Sequence, residues 1–380
     1  MFSVLSVVGT RPEAIKMAPI IRSLKADPRF SSRVCVTAQH REMLDQILSI
    51  FNIVPDIDLN LMRPNQSLSV LSAAAIKALD RVLTIERPNF IFIQGDTTTV
   101  LCTALAAFYH HIPVGHVEAG LRTWNFQSPW PEEANRVLVS RLADLHFAPT
   151  EKNRENLLGE GIPSDRIFVT GNTVIDALYF SLEMVRANRP EIPGFPKKKP
   201  VARGDGRIVL ITGHRRESFG DGFENICKAI AELAKRFPDV CFVYPVHFNP
   251  NVRKTINKNL RKIKAPNIRL IDPLPYLSFI TLMSQATLIL TDSGGIQEEA
   301  PSLGKPVLVM RESTERPEGV ESGAVKLVGT KWEKIVKVAT LLLTNRAAYE
   351  EMKRSHNPYG DGNASERIVE ACYSFLAGKE

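Results

Sequence analysis

Cysteine is scarce and scattered. The five residues, Cys35, Cys102, Cys227, Cys241 and Cys372, contain no C-x-x-C pair, which argues against a zinc ribbon or a thioredoxin-type redox motif. An odd, dispersed set also argues against a disulfide framework and fits a reducing compartment. Long apolar runs are missing: none approaches the roughly 20 residues that span a bilayer, so no membrane association is expected. The N-terminal stretch MFSVLSVVGTRPE lacks a basic leader and an A-x-A cleavage site. It reads as a first strand and not a signal peptide, and the expected location is the cytoplasm. No G-x-S-x-G elbow occurs, the turn GTRPEA lacks the glycines of a dinucleotide fingerprint, and no His/Cys/Asp set has metal-ligand spacing. No interleaved aromatic and basic pattern stands out, so nucleic-acid binding is the weakest functional class.

What is present is an ordinary globular composition. Apolar residues make up 44% and charged residues 23% of 380, which excludes a disordered or collagen-like chain and suits two domains. Lys and Arg number 48 against 41 Asp and Glu, a net charge of +7. That excess suits an anionic ligand without choosing among nucleic acid, acidic membrane and phosphorylated metabolite.

One rhythm runs along the chain. Short apolar runs at 4–8, 34–37, 90–94, 114–117, 145–148, 208–212, 241–245, 268–271, 288–291 and 307–310 alternate with stretches long enough for helices, such as 98–109 and 225–236. Several runs show little polar alternation, as strands covered on both faces do. Strands alternating with helices predict an α/β fold with parallel sheets and right-handed crossovers. The segment 188–206, NRPEIPGFPKKKPVARGDG, reads as an exposed linker, its three lysines a solvated hinge. The stretch 364–376 reads as a final helix.

Chemistry-bearing motifs follow the strands. In Gly9-Thr10-Arg11-Pro12-Glu13, Gly9 allows a tight turn, Thr10 or Arg11 can end it, and Pro12 suits the first helical position. With Arg11 and Lys16 beside it, that helix N-terminus is an anion site or simply a well-capped helix. Thr291-Asp292-Ser293-Gly294-Gly295 has the same form: Ser293 can cap, and the glycines let a phosphate approach backbone N–H groups. On the helix that follows, Glu298 reads as complementing the dipole, whereas spacing leaves Glu299 open between that role and sugar hydroxyls.

Acids cluster at strand ends, where open α/β sheets place ligands. Asp96 closes one run, unless it caps the helix 98–109. Glu118 closes another. Glu132 and Glu133 start a helix, where each alone could merely complement the dipole. Three segments bringing acids toward one crevice is harder to assign to capping. The sequence TGHRRE places His214, Arg215 and Arg216 after a strand, a set suited to a diphosphate leaving group. His116 and His247 also follow strand-like runs, where a lone histidine is more often packed or hydrogen-bonded. His110 and His111 end a helix, where the dipole explains them.

Taken together, GTRPEAIKMAP, QGDTTT, GHVEAGLRT, SPWPEEANR, TGNTVIDAL, TGHRRE, TDSGGIQEEAP, GKPVLVMR, TERPE and NPYGDG resemble the non-hydrolysing UDP-N-acetylglucosamine 2-epimerases almost from end to end. The resemblance implies a glycosyltransferase-B-like fold, two Rossmann-like domains facing across a cleft that holds the nucleotide sugar. The domains would be 1–170 and 171–363, with the last helix, 364–380, packed back on the first. The family's chemistry eliminates UDP from C1 as a base removes the C2 proton, then adds UDP back to 2-acetamidoglucal after protonation on the other face. It needs no nicotinamide and no obligatory metal.

Carried over by motif, Arg11, Lys16, His214, Ser293, Gly294 and Gly295 would hold the phosphates or assist UDP departure. Glu299 would take the ribose hydroxyls, Arg316 would add a charge contact, and Phe279 would lie by the uracil. Leu274 replaces a glutamine of some relatives near the base, where a backbone contact would survive. Asp96, Glu118 and Glu132 would carry protons. The resemblance also implies activation by the substrate itself at a neighbouring site, in matching segments that contain Gln39, His40, Arg63, Arg215 and His247. Glu42 stands where some relatives have glutamine. A homodimer is expected. A retaining glycosyltransferase or a hydrolysing epimerase would use the same fold.

Overall fold

A strand covered by helices on both sides must be apolar on both faces, and the first strand is. In the computed structural model, which describes residues 1–37, 41–63, 66–195, 206–213, 215, 220–261, 263 and 265–378, β1 (Phe2–Val8) is buried from Val4 onward. The chain divides into two units. Unit 1 comprises Met1–Ala177 and Tyr359–Glu380, and unit 2 comprises Leu178–Pro358.

Unit 1 is built on a sheet of β1, β2 (Phe30–Val36), β3 (Ile57–Asp58), β4 (Phe90–Gln94), β5 (Val114–Val117), β6 (Leu145–Ala148) and β7 (Ile167–Val169), in spatial order β3-β2-β1-β4-β5-β6-β7. Unit 2 contains β8 (Ile208–Thr212), β9 (Cys241–Pro245), β10 (Ile268–Ile271), β11 (Leu288–Thr291), β12 (Val307–Val309) and β13 (Val325–Leu327), in order β10-β9-β8-β11-β12-β13. Neighbouring strands run parallel in both. Two Rossmann-like parallel sheets in tandem are the glycosyltransferase-B-like class read from the sequence. In each, the winding direction reverses once, between β1 and β4 and between β8 and β11. Open sheets of this type bind ligands beyond the strands' carboxyl ends at such a switch point.

Three strands escaped the sequence reading. β3, β7 and β13 have two or three residues each and are only partly buried, too short to stand out as strand-length apolar runs. All three lie at sheet edges, each with a neighbour on one side only. The helix expected at 225–236 begins earlier, spanning Asp221–Arg236. Phe223, Ile226, Ile230 and Leu233 lie on one buried face at helical spacing. They pack on Val209, Ile211, Phe242 and Leu290 of the sheet to form the core of unit 2.

The segment 188–206 is not wholly an exposed connection. Its first part docks on unit 2: Ser278 Oγ donates to the Glu191 carbonyl (2.7 Å), and a methyl group on Gly194 would sit 3.1 Å from Ile271. Lys197–Lys199 lie outside the described residues.

The final helix, Ala364–Ala377, belongs to unit 1. Its Tyr373 ring packs edge-on to Phe2 and Phe30, and Phe375 packs on Phe90. The Asp176 carboxylate accepts from Ser365 N (2.8 Å) and Ser365 Oγ (2.7 Å) at the start of that helix. This is the side-chain cap that Asn363, its N-cap residue, does not supply. Among the described residues, no helix is long and apolar enough to cross a membrane.

Candidate active-site residues in each unit

In unit 1 the site begins with the turn after β1. Thr10 caps the helix Arg11–Ala26 in a capping box with Glu13, so Arg11 and Pro12 are its first two residues. Glu13 lies wholly inside. Its Oε2 accepts from Gly9 N (2.6 Å) and Thr10 N (3.3 Å). Burial raises its pKa, while bonds from Gly9, Thr97 and Thr10 pull the other way. The need for Gly9 is close approach, not turn conformation: a Cβ there would meet Thr99 Oγ1 at 2.9 Å and Thr37 Oγ1 at 3.0 Å.

One turn into that helix, Lys16 is buried and its ammonium pairs with the Glu118 carboxylate. Glu118 sits just past β5 with φ 64, a left-handed conformation that costs a non-glycine residue about 1–3 kcal/mol. Among the described residues, three side chains hold it there. Lys16 Nζ and Asn172 Nδ2 (3.3 Å) donate to its Oε1, and Gln94 Nε2, from the end of β4, donates to its Oε2.

Asp96, on the same rim, is half-buried and does not cap the helix Thr98–Tyr109. Thr97 is the cap, its hydroxyl accepting from Val100 N (3.4 Å). Asp96 is left to pair with Arg136, and its carbonyl accepts from Asn135 Nδ2 (2.8 Å).

Glu132 and Glu133, alike in sequence, separate here. Glu133 is fully buried. It accepts from Thr123 N and Trp124 N (both 2.9 Å) and from Arg136 Nη1 (3.0 Å), so it anchors the 122–131 loop and orients the arginine that meets Asp96. Glu132 is half-exposed on the first turn of the helix Glu132–Leu142. His116 is a packed residue: Nε2 donates to the Gly95 carbonyl (2.7 Å), and burial, the dominant influence, lowers its pKa to about 4.

In unit 2 the corresponding rim is Gly213 and Arg215 beyond β8, and Asp292 and Ser293 beyond β11. Thr212 and Thr291 hydroxyls share a 2.6 Å hydrogen bond, Tyr244 OH donates to the Gly213 carbonyl (2.6 Å), and Asp292 Oδ2 accepts from Arg215 N (2.8 Å). Ser293 is the N-cap residue of the helix Gly294–Ser302, but its hydroxyl makes no capping bond, contrary to the expectation for SGG. The backbone N–H of Ser293 donates instead to Thr291 Oγ1 (2.9 Å).

Gly294 makes room for a side chain of the protein itself. A Cβ there would lie 2.6 Å from Arg316 Nη1, so the guanidinium lies over the helix start. Arg316 Nε donates to Glu298 (2.6 Å) and Nη1 to Glu315 (2.8 Å). Glu298, read from the sequence as a dipole complement, is 1% exposed and holds this arginine. The 314–316 loop is tied to the same helix, because Thr314 Oγ1 both accepts from Arg316 N and donates to Gln297 (2.7 Å).

Arg311 and Arg215 also reach Glu315, at 2.7 and 3.4 Å. Burial alone would raise that carboxyl's pKa, but Arg316, Arg311 and Arg215 together hold it at about 2. Arg316, Arg311 and Arg215 thus converge on Glu315 beside a helix N-terminus, an arrangement suited to cradle a diphosphate. Glu299 is buried on the same helix, Leu274 is buried, and Phe279 is half-buried on the helix Tyr276–Gln285.

Of the remaining expected residues, Arg63 is exposed in unit 1, where its backbone N–H donates to Gln66 Oε1 (3.2 Å). His247 is exposed in unit 2, with Nδ1 accepting from Asn249 N (3.1 Å). Gln39, His40 and His214 lie outside the described residues. Sequence reasoning singled out neither Gln94 nor Asn172, although both stand inside the motifs QGDTTT and TGNTVIDAL. It also passed over Glu315 and Arg311, which stand inside the motifs TERPE and GKPVLVMR.

Residues 22–372 match the family model described as UDP-N-acetylglucosamine 2-epimerase. A UDP-N-acetylglucosamine 2-epimerase of Escherichia coli (strain K12) is 56% identical over 97% of each chain, and one of Yersinia pestis is 58% identical over 97% of each. The crystal structure of the Neisseria meningitidis UDP-GlcNAc 2-epimerase bound to UDP-GlcNAc superposes with a TM-score of 0.89 at 54% identity, covering 98% of this chain and all of that one. With that match from end to end, and with carboxylates gathered at one switch point and arginines at the other, this chain belongs to the UDP-N-acetylglucosamine 2-epimerase family.

Proposed function

We propose that this protein interconverts UDP-N-acetylglucosamine and UDP-N-acetylmannosamine without hydrolysis, by elimination and re-addition of UDP. The C2 proton of the sugar is not adjacent to a carbonyl, so direct abstraction is very difficult. In elimination, a carboxylate takes that proton, the C–H pair becomes the C1–C2 double bond of 2-acetamidoglucal, and UDP leaves C1 with the C–O pair. Protonation of C2 on the opposite face and return of UDP to C1 complete the change. Nothing is oxidised or consumed, and no cofactor is called for.

The observation that carries this reading is the restraint on Glu118. A glutamate kept in a left-handed conformation by Lys16, Gln94 and Asn172, just past the strand next to the one that Asp96 follows, is a preorganised proton carrier. Asp96, Glu118 and Glu132 are the acid/base set. Arg11, Lys16, His214, Ser293, Gly294, Gly295 and Arg316 take the diphosphate and its departing charge. Glu299 takes the ribose, and Phe279 and the Leu274 backbone take the uracil.

A second UDP-N-acetylglucosamine acts as activator through Gln39, His40, Arg63, Arg215 and His247. The protein works in the cytoplasm as a homodimer and supplies cell-surface polysaccharide synthesis. NMR of UDP-N-acetylglucosamine with the enzyme in heavy water tests the reaction. The expected product is UDP-N-acetylmannosamine deuterated at C2, formed without an acceptor. Free N-acetylmannosamine would mark a hydrolysing enzyme, and dependence on an acceptor would mark a glycosyltransferase.

A further inference from the structure

The chain leaves the sheet of unit 1 after β7, two strands away from β5, which bears Glu118. At about 4.8 Å per strand, an asparagine side chain cannot bridge that gap from a strand continuing straight. Gly171 provides the bend, with φ 88, and it lies against Gly360, with φ 124, on the returning chain. A Cβ on either glycine would come within 3.3 or 3.2 Å of the other's Cα. Outgoing and returning chain therefore cross backbone on backbone.

Asn172 follows at once and is 2% exposed. Its N–H donates to the Tyr359 carbonyl across the crossing (2.7 Å). Its Oδ1 accepts from Val174 N (3.1 Å), at the start of the helix Thr173–Ala187. That bond settles the amide orientation: the carbonyl oxygen is committed to the helix start, so the NH2 faces Glu118 Oε1 (3.3 Å).

We infer that Asn172 is a positioning residue for the proton-carrying Glu118, fixing the carboxylate to the point where the chain crosses itself. The inference rests on the reading of Glu118 as a proton carrier. Lys16 supplies charge to the same oxygen from a long, flexible side chain. Asn172 adds direction from a short side chain whose backbone and oxygen are both pinned. Loss of the Nδ2–H bond lets the carboxylate rotate within a conformation that already costs energy to hold.

Asn172→Ser separates positioning from folding, because serine still accepts from the N–H two residues on and is too short to reach Glu118. Steady-state kinetics of Asn172→Ser are expected to show kcat lower by about 10- to 100-fold, the scale of a misplaced catalytic group, with KM near that of the parent. In the Glu118→Gln background, itself slow, Asn172→Ser is expected to add little, because the group it orients is gone. A parent-like kcat in Asn172→Ser overturns the inference, as does an equal further loss in the Glu118→Gln background, which would mean that Asn172 acts on the fold. A fully active Glu118→Gln enzyme would instead remove Glu118 from the proton chemistry, and the inference would fall for that separate reason.

Discussion

Gly294 and Gly295 are neighbours in one motif, yet the structure assigns them different work. At Gly294 a methyl group would lie 2.6 Å from Arg316 Nη1 and 2.8 Å from Cζ, while at Gly295 nothing lies within 4 Å. Ordinary contact begins near 3.4 Å, so Gly294→Ala drives the guanidinium back by about 0.8 Å. The Arg316 side chain is 12% exposed, and its guanidinium is gripped by Glu298 at 2.6 Å and Glu315 at 2.8 Å. A hydrogen bond to a charged group contributes about 1.5–3 kcal/mol. Stretching both, with partial relaxation of the arginine, should cost about 2–3 kcal/mol. For a unit of this size that lowers Tm by about 4–12 °C.

UDP affinity should fall at least about tenfold, or 1.4 kcal/mol, because Arg316 no longer points at the helix start. Gly295→Ala meets no atom and removes chain entropy, so its stability should hold or rise by about 0.4–1 kcal/mol. Thermal scans with and without UDP, together with UDP titration calorimetry, read both quantities. An unchanged Tm in Gly294→Ala, or an equal fall of Tm in the two variants, would refute the argument that Gly294 seats Arg316.

Asp96→Asn, Glu118→Gln and Glu132→Gln should each slow epimerisation by at least about a hundredfold, measured as UDP-N-acetylmannosamine formed, and near-parental turnover removes that residue from the acid/base set. Arg63→Ala should weaken activation of the reverse reaction by added UDP-N-acetylglucosamine more than it slows the unactivated rate; equal activation of variant and parent leaves Arg63 an ordinary surface cation. Glu315, held at about 2 against an ordinary 4.5, contributes stability that is present above pH 4.5 and lost as pH falls toward 2. Glu315→Gln should therefore be less stable at neutral pH and show a shallower acid limb in chemical denaturation, and an unchanged limb contradicts the arginine cradle.

Where local rules were sufficient, the sequence could be read. Gly-Thr-Arg-Pro-Glu after an apolar run spells a capped helix start, and Thr10 with Glu13 forms that cap. The helix Thr98–Tyr109 has the bounds its pattern shows. Family membership was legible because many motifs occur in one order. Local rules failed where two candidates satisfied the same rule. Asp96 and Thr97 are both acceptable caps, and the choice fell to Thr97 because Arg136, forty residues on, claims the aspartate. Glu132 and Glu133 both suit a first turn, and only the position of the 122–131 loop shows which one is buried.

What the sequence alone determined is thus the set of elements bounded by short-range chemistry: strands apolar on both faces, helix starts, and a parallel α/β plan repeated twice. The tertiary structure decided the partners. Glu298 became the seat of Arg316, Gly294 the space above which that arginine lies, and Asn172 a donor to Glu118 from the bend that follows β7. Capping and periodicity act over a few residues and leave a signature in spacing. A buried charge or amide takes its partner from whatever the fold brings within about 3 Å, at sequence separations that no spacing records.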